Sequence, residues 1–265
     1  MSQETYFHDH WVTIEPERFA YYDALFQHPA AVLDRMLAPL GLTAGQVCLD
    51  LGCGPGHVAA AMARHVGPGG HVHGVDVNEP FLARAADVAA AAGVAGLCTF
   101  HHVTGEELPI VTGAVDRVVA KNVLEYVPDL GATLGEVARV LAPGGRLVAM
   151  DSDWGFVVVE PLAPEEVAEL FRAAAPAFRE PFIGRKLRAA FIDAGLADVQ
   201  VTVVAATDTA GRTRGILENM INYGLTFGRL GPERATDLRT RLDAAMAAGT
   251  YLVVLPQFVV TGTKA

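Results

Sequence analysis

The residues best suited to chemistry gather at four places. The first is Val47-Cys48-Leu49-Asp50-Leu51-Gly52-Cys53-Gly54-Pro55-Gly56-His57, where an apolar run stops at an acid and breaks into three glycines. Glycines at 52, 54 and 56 let the backbone take positive φ and approach a ligand without a Cβ in the way, which a cofactor-cradling loop needs. The second is Asp76, which closes the run His71-Val72-His73-Gly74-Val75. A carboxylate at that strand end, one βα unit beyond the loop, can accept both hydroxyls of a ribose. The third is Lys121-Asn122-Val123-Leu124-Glu125-Tyr126 and the fourth Asp151-Ser152-Asp153-Trp154, each following an alternating or apolar run. Open α/β sheets place their ligands at such carboxyl ends, so Asp153 and Trp154 are pocket candidates.

Spacing narrows the cofactor. A dinucleotide fingerprint requires G-x-G-x-x-G, but its third glycine position holds His57 and the third glycine arrives one residue early. That counts against a nicotinamide-dependent oxidoreductase. A P-loop fits worse, because no Gly-Lys-Ser/Thr follows.

The elements that must position these groups alternate. Helical spacing at Val32, Leu33, Met36, Leu37 and Leu40 predicts a helix over 29–40, ahead of the first strand. A helix over 58–66, a strand over 71–75 and a helix over 79–92 with Asn78 as N-cap follow. Strands are expected at 98–103, 115–120 and 147–151, with a helix over 130–141 between the last two. Helices at 164–178 and through Leu187 and Phe191, then strands near 199–204 and 258–262, complete the α/β order.

The motifs together resemble the class I S-adenosylmethionine-dependent methyltransferases. Asp50-Leu51-Gly52-Cys53-Gly54-Pro55-Gly56 matches the family's acid, apolar residue and G-x-G-x-G. Val115-Asp116-Arg117-Val118 through Asp129 is similar to its fourth motif, and Ala142-Pro143-Gly144-Gly145-Arg146 before a strand to the stretch that follows. The likeness covers about residues 45–151. It implies a Rossmann-like, seven-stranded, mostly parallel sheet with an antiparallel terminal strand, helices on both faces and a helical cap. It also implies S-adenosyl-L-methionine as cofactor, with Val77 beside the ribose acid and Thr104, Gly105 and Glu106 near adenine. Lys121 and Asn122 then pass beside the methionine part, and Glu125 and Tyr126 near the methyl group. Two positions depart from the pattern, Thr104 where an acid is usual and Tyr126 where many relatives place histidine.

The flanks suggest an acceptor site. Residues 1–26 hold Tyr6, Phe7, Trp11, Phe19, Tyr21, Tyr22 and Phe26, too aromatic for a disordered tail. The segment folds back over something, either the substrate side of the cofactor or simply the sheet. Tyr6, Trp11 and Tyr21 are pocket candidates, and His8 and Tyr22 lesser catalytic ones. Residues 208–250 are too long for a plain hairpin and carry two helical patterns separated at Gly231-Pro232. They read as a substrate cap lined by Asn219, Asn222 and Tyr223. The expected division is thus an arm over 1–45, a cofactor domain over 46–207 and 251–265, and a cap over 208–250.

Composition bounds the partners. With 265 residues, 51% of them hydrophobic, the chain can bury a large core. A net charge of −10 argues against a nucleic-acid footprint or an anionic membrane surface. Met1-Ser2-Gln3-Glu4-Thr5 lacks a basic, apolar and small-residue succession, and no apolar run spans a bilayer, so a cytoplasmic protein is expected. Cys48, Cys53 and Cys98 suggest neither disulfide nor zinc, and Asp151 with Asp153 lacks companion ligands, so no metal is expected. The reading is a methyltransferase for a small, largely apolar or aromatic metabolite, C-, O- or N-methylated, in secondary metabolism, as a monomer or homodimer. A repurposed S-adenosylmethionine-binding protein running another reaction is the alternative. Replacing Asp76 by Ala is expected to weaken S-adenosylhomocysteine binding by about 1–3 kcal/mol in calorimetry, and unchanged affinity would remove the ribose assignment.

Overall fold

The computed structural model describes residues 4–265; Met1, Ser2 and Gln3 lie outside them, and with them most of the opening pentapeptide. Five parallel strands form the heart of one sheet: β1 (Val47–Leu51), β2 (His71–Asp76), β3 (Cys98–His102), β4 (Val115–Lys121) and β5 (Leu141–Ser152). Three more complete it: β6 (Val158–Glu160), β7 (Leu196–Asp208) and β8 (Leu252–Lys264). The order runs β3-β2-β1-β4-β5-β8, with the short β6 continuing the β5 edge of β8 and β7 on the other edge of β8. β8 is antiparallel to each of its neighbours. The sheet therefore has eight strands, one more than expected, because three residues beyond β5 return to pair with β8.

Alternation along the strands sends side chains to two buried faces. Leu49 and Val118 point to the face covered by α6 (Leu130–Val140) and α8 (Ile183–Asp193), through Leu134, Val137, Leu187 and Phe191. Cys48 and Val119 point to the other, covered by α3 (Ala30–Leu37) and α4 (His57–Val66), through Leu33, Leu37 and the Ala59–Ala63 run. Both faces being dry explains why β1 is apolar throughout apart from Asp50. α5 (Glu79–Ala91) follows β2, and its N-cap is the expected Asn78, whose Oδ1 accepts from Phe81 N at 2.8 Å. Asp129 caps α6 likewise, accepting from Ala132 N at 2.9 Å.

A further apolar layer lies beyond the sheet's β6–β8 corner. α7 (Pro164–Ala174), α9 (Arg214–Thr226) and α10 (Pro232–Ala248) share one cluster that includes Trp154, Phe171, Phe178, Tyr223 and Tyr251. Residues 208–250 thus pack with 154–178 as one body of helices. The N-terminal α1 (Tyr6–Val12) joins them through Tyr6, and α2 (Pro16–Phe26) follows it.

Three boundaries differ from expectation for local reasons. β5 begins at Leu141, absorbing the Pro143-Gly144-Gly145 turn as an irregular stretch where Gly144 takes φ 77°. The helix expected to Phe178 stops at Ala174 and tightens through Pro176, which cannot donate the next hydrogen bond. β7 and β8 each run 13 residues because they pair with one another almost throughout.

Gly56 illustrates how closely α4 and α5 meet. It has φ 80°, and a Cβ there would fall 2.6 Å from Ala85 Cβ and 2.8 Å from its Cα. Gly56→Ala is expected to lower unfolding free energy by about 1–3 kcal/mol in urea denaturation, from backbone strain and overpacking together.

Candidate active site

A cavity of about 410 Å³ opens at the carboxyl ends of β1, β2 and β4. Asp50, Gly52, Gly54, Asp76 and Val77 line one side, Thr104, Gly105 and Glu106 another, and Lys121, Asn122 and Tyr126 a third. His8 and Trp11 from α1, with Phe26 and His28, close it from the arm.

The three loop glycines do different work. Gly52, at φ 66°, lies so near Val123 that a Cβ would stand 2.0 Å from Val123 Cγ2. Gly54, at φ 49°, would meet only the Phe26 ring, at 3.8 and 3.9 Å, so its side toward the cavity is clear for a ligand. Gly56, a candidate cofactor contact by sequence, does not line the cavity; the position a Cβ would take there faces Ala85. The loop's shape is fixed from β2: Gly54 N donates to Asp76 Oδ2 at 2.7 Å and Asn78 N to Asp76 Oδ1 at 2.9 Å. Each carboxylate oxygen keeps a second lone pair for an incoming hydroxyl. Burial raises the Asp76 pKa, while the amides of Gly54, Asn78 and Val77 oppose that rise.

Deeper in, one ammonium sits among three buried carboxyl groups. Burial lowers the Lys121 pKa against the fields of Asp151, Asp50 and Glu125, and its Nζ stands 5.9 Å from the Phe26 ring centre. Asp50 is pushed up to about 8 by burial and then by Asp76, and its Oδ2 has no hydrogen-bond partner. Asn122 holds a left-handed φ of 52°, donates its backbone N–H to Met150 O at 2.8 Å, and leaves Oδ1 unpartnered. Glu125 accepts a 2.6 Å hydrogen bond from Trp154 Nε1. Burial and neighbouring Asp151 raise its pKa well above the usual carboxylate range, with Trp154 and Tyr126 opposing. Asp151 is raised too, chiefly by burial; the amides of Val123, Leu124 and Glu125 lie near it, yet neither carboxylate oxygen makes a hydrogen bond of good geometry.

Several expected site residues stand elsewhere. Glu125 does not line the cavity but backs Tyr126, which does. Asp153 is fully buried and binds the Arg185 guanidinium at 2.6 and 2.7 Å, while Trp154 is core and serves Glu125. Asn222 is exposed, accepting from Arg239 at 2.8 Å, and Asn219 is half-buried away from the cavity. Tyr6, Tyr22 and Tyr223 belong to an aromatic cluster behind the cavity wall, where Arg18 Nη2 donates to the hydroxyls of Tyr22 and Tyr223 at 3.1 Å. Tyr21 packs its hydroxyl against Gly215. Among the described residues, no group of three or more His, Cys, Asp or Glu is arranged to hold a metal ion.

The arm is tied to the cofactor side by contacts that sequence reasoning missed. Asn78 Nδ2 donates to Trp11 O at 2.8 Å and Val12 O at 3.3 Å while its Oδ1 caps α5. Asp23 of α2 meets His57 Nε2 at 3.0 Å and Arg84 Nε at 2.9 Å, joining the arm to the start of α4 and the middle of α5. Of the two readings of the arm, the structure has the one in which it closes the cavity. Phe26 and His28 gave no signal as lining residues, whereas His57 stood out for occupying a position where a dinucleotide loop has glycine.

Comparison with known proteins fits this geometry. A family model described as a methyltransferase domain matches residues 42–195. The chain is 36% identical over 139 residues to 27-O-demethylrifamycin SV methyltransferase of Amycolatopsis mediterranei, covering 52% of this chain and 49% of that one. It is 35% identical over 123 residues to the ubiquinone/menaquinone biosynthesis C-methyltransferase UbiE of Vibrio cholerae, covering 46% of each. The chain thus spans about half the length of the curated relatives it matches. Its fold is similar to that of Haemonchus contortus phosphoethanolamine N-methyltransferase 2, with TM-score 0.66 at 17% identity over 100% of this chain and 60% of that one.

Asp50 gives the site a measurable signature. Its folded pKa of about 8 lies above the ordinary 3.8, so the stability it supports is complete below about pH 4 and is lost as pH rises through 8. Asp50→Asn removes that titration; wild type is expected to lose on the order of 5 °C of Tm between about pH 5 and pH 8.5 that the variant keeps. Parallel melting curves at several pH values check this, and equal slopes would show Asp50 ionised throughout.

Proposed function

The chain belongs to the class I S-adenosylmethionine-dependent methyltransferases, and from that premise we propose that it methylates a compact, largely apolar or aromatic metabolite. The observation that carries the reading is the single cavity running from Asp76, past the clear face of Gly54, to Tyr126 and the aromatic arm. Relatives named for rifamycin and for quinone biosynthesis support a small acceptor, and those named for rifamycin and nocamycin favour a place in secondary metabolism. The net charge of −10 favours a small molecule over nucleic acid, and no helix among the described residues is long and apolar enough to cross a membrane. The expected setting is the cytoplasm.

The residues present fit the cofactor. Asp76 would hold the ribose hydroxyls, the Gly52–Gly54 turn the backbone side, Thr104 to Glu106 the adenine end, and Asp50, Lys121 and Asn122 the methionine end. Bound there, S-adenosylmethionine supplies a methyl group on a sulfonium whose departure leaves a neutral thioether. The protein's own task is alignment and exclusion of water, worth several kcal/mol of barrier lowering. Trp11, Phe26 and Tyr126 present flat apolar walls for the acceptor. Tyr126 is the group positioned to orient it: burial, with Glu125 beside it, raises its pKa well above the ordinary tyrosine value, so its hydroxyl stays protonated and offers a hydrogen bond; Glu125, buried behind it, is held by Trp154. His8, on the arm's side of the cavity, is the candidate proton acceptor.

Calorimetric titration with S-adenosylhomocysteine beside NAD tests the cofactor, with micromolar binding expected for the first and none for the second. An acceptor screen read as S-adenosylhomocysteine formation tests the reaction. With a productive acceptor, Tyr126→Phe is expected to lower kcat at least about tenfold while cofactor affinity stays within twofold. Wild-type turnover in that variant would remove Tyr126 from the mechanism, and cofactor consumption without a methylated product would point to another use of the sulfonium.

A further inference from the structure

The sheet has two unlike edges. β3 is five residues long and carries two histidines, short and polar as exposed edges usually are. β7 runs 13 residues, pairs only with β8 among the described residues, and has no charged residue from Val199 through Thr207. Its exposure is high for such a sequence: 41% at Val201, 42% at Val203 and 50% at Val204. Proteins blunt edges of this kind with lysine, proline or bulges along the strand. Here the only interruption is a bulge between Ala197 and Gln200, at one end, where Asp198 takes φ 53°. The neutral run spans about 30 Å at the usual strand rise.

An apolar patch continues inward from this edge. Val203 stands directly opposite Phe258 of β8, so both side chains share a face, and the exposed Phe156 ring lies 6.2 Å from that of Phe258. Charge differs between the two ends of the edge. Exposed Asp193 and Asp198 flank the start of β7; exposed Arg212 follows its end, with its backbone N–H at the Asp208 carboxylate. An antiparallel copy of the same strand would bring Asp193 and Asp198 of each near the exposed Arg212 of the other. Elsewhere a chain of net charge −10 repels its own kind, which leaves this neutral strip as a place where two copies can meet.

We propose that β7 pairs antiparallel with β7 of a second copy across a two-fold axis, joining two sheets into one continuous sheet and burying Val201, Val203 and Val204. An isologous contact of this kind closes on itself and forms a dimer rather than a filament. The active-site cavity takes no residue from β7, so the pairing is independent of the methyltransferase reading.

Sedimentation velocity from about 1 to about 100 µM tests it, the range in which a contact of modest area associates. Wild type is expected to shift from one to two chain masses across that range. Val203→Lys is expected to stay at one mass with an unchanged melting curve and unchanged S-adenosylhomocysteine affinity. The control Val111→Lys, at a site 76% exposed and off the edge, is expected to dimerise like wild type. Hydrogen exchange on wild type, with amides of 199–207 protected only at high concentration, keeps the test decisive should the lysine variant misfold. Wild type at one mass throughout, a dimeric Val203→Lys, or concentration-independent exchange along β7 would each overturn the proposal.

Discussion

Two backbone amides converge on one carboxylate, and the rest of the site follows from that meeting. Gly54 N and Asn78 N hold the two oxygens of Asp76, so the loop after β1 and the turn after β2 are shaped by the same group. With the loop fixed, Gly56 can start α4 at φ 80° and close against Ala85 of α5. With the turn fixed, Asn78 can cap α5 and reach back to Trp11. The carboxylate keeps solvation it would otherwise lose, because each amide returns part of what burial removes.

Behind the cavity the electrostatics are less balanced. Asp50, Glu125 and Asp151 face a single Lys121 in surroundings too dry for three full negative charges. Protonation of carboxyl groups resolves the imbalance more cheaply than burying unpaired charge. The unpartnered oxygens of Asp50, Asn122 and Asp151 are where this region is least satisfied by protein alone. A cationic ligand entering beside Asp50 and Asn122 would meet these acceptors.

What the sequence disclosed was mostly local. The glycine loop, the Asp76 strand end and the Asn78 cap each depend on a few neighbouring residues, and backbone preference makes them readable. The arm was readable as folded because its aromatics could not remain in water, but its seat was not. Asp23 finds His57 and Arg84 at 34 and 61 residues' distance, and Asp153 finds Arg185 at 32. Helical spacing on α9 marked Asn222 and Tyr223 equally; the neighbouring Arg239 and Arg18 decided that one faces water and the other core. Glu125 read as a strand-end acid beside the ligand because Trp154, which turns it inward, lies on a different strand's exit.

The double duty of Asn78 links two segments far apart in the chain. Its amide group has a fixed orientation because Oδ1 is committed to Phe81 N, and only then does Nδ2 offer a donor to the Trp11 carbonyl. Asn78 thereby adds one anchor for the arm to those that Asp23 makes with His57 and Arg84 and Arg18 makes with Tyr223. One side-chain amide thus couples the first turn of α5 to the backbone of α1, so that a shift of either is felt by the other.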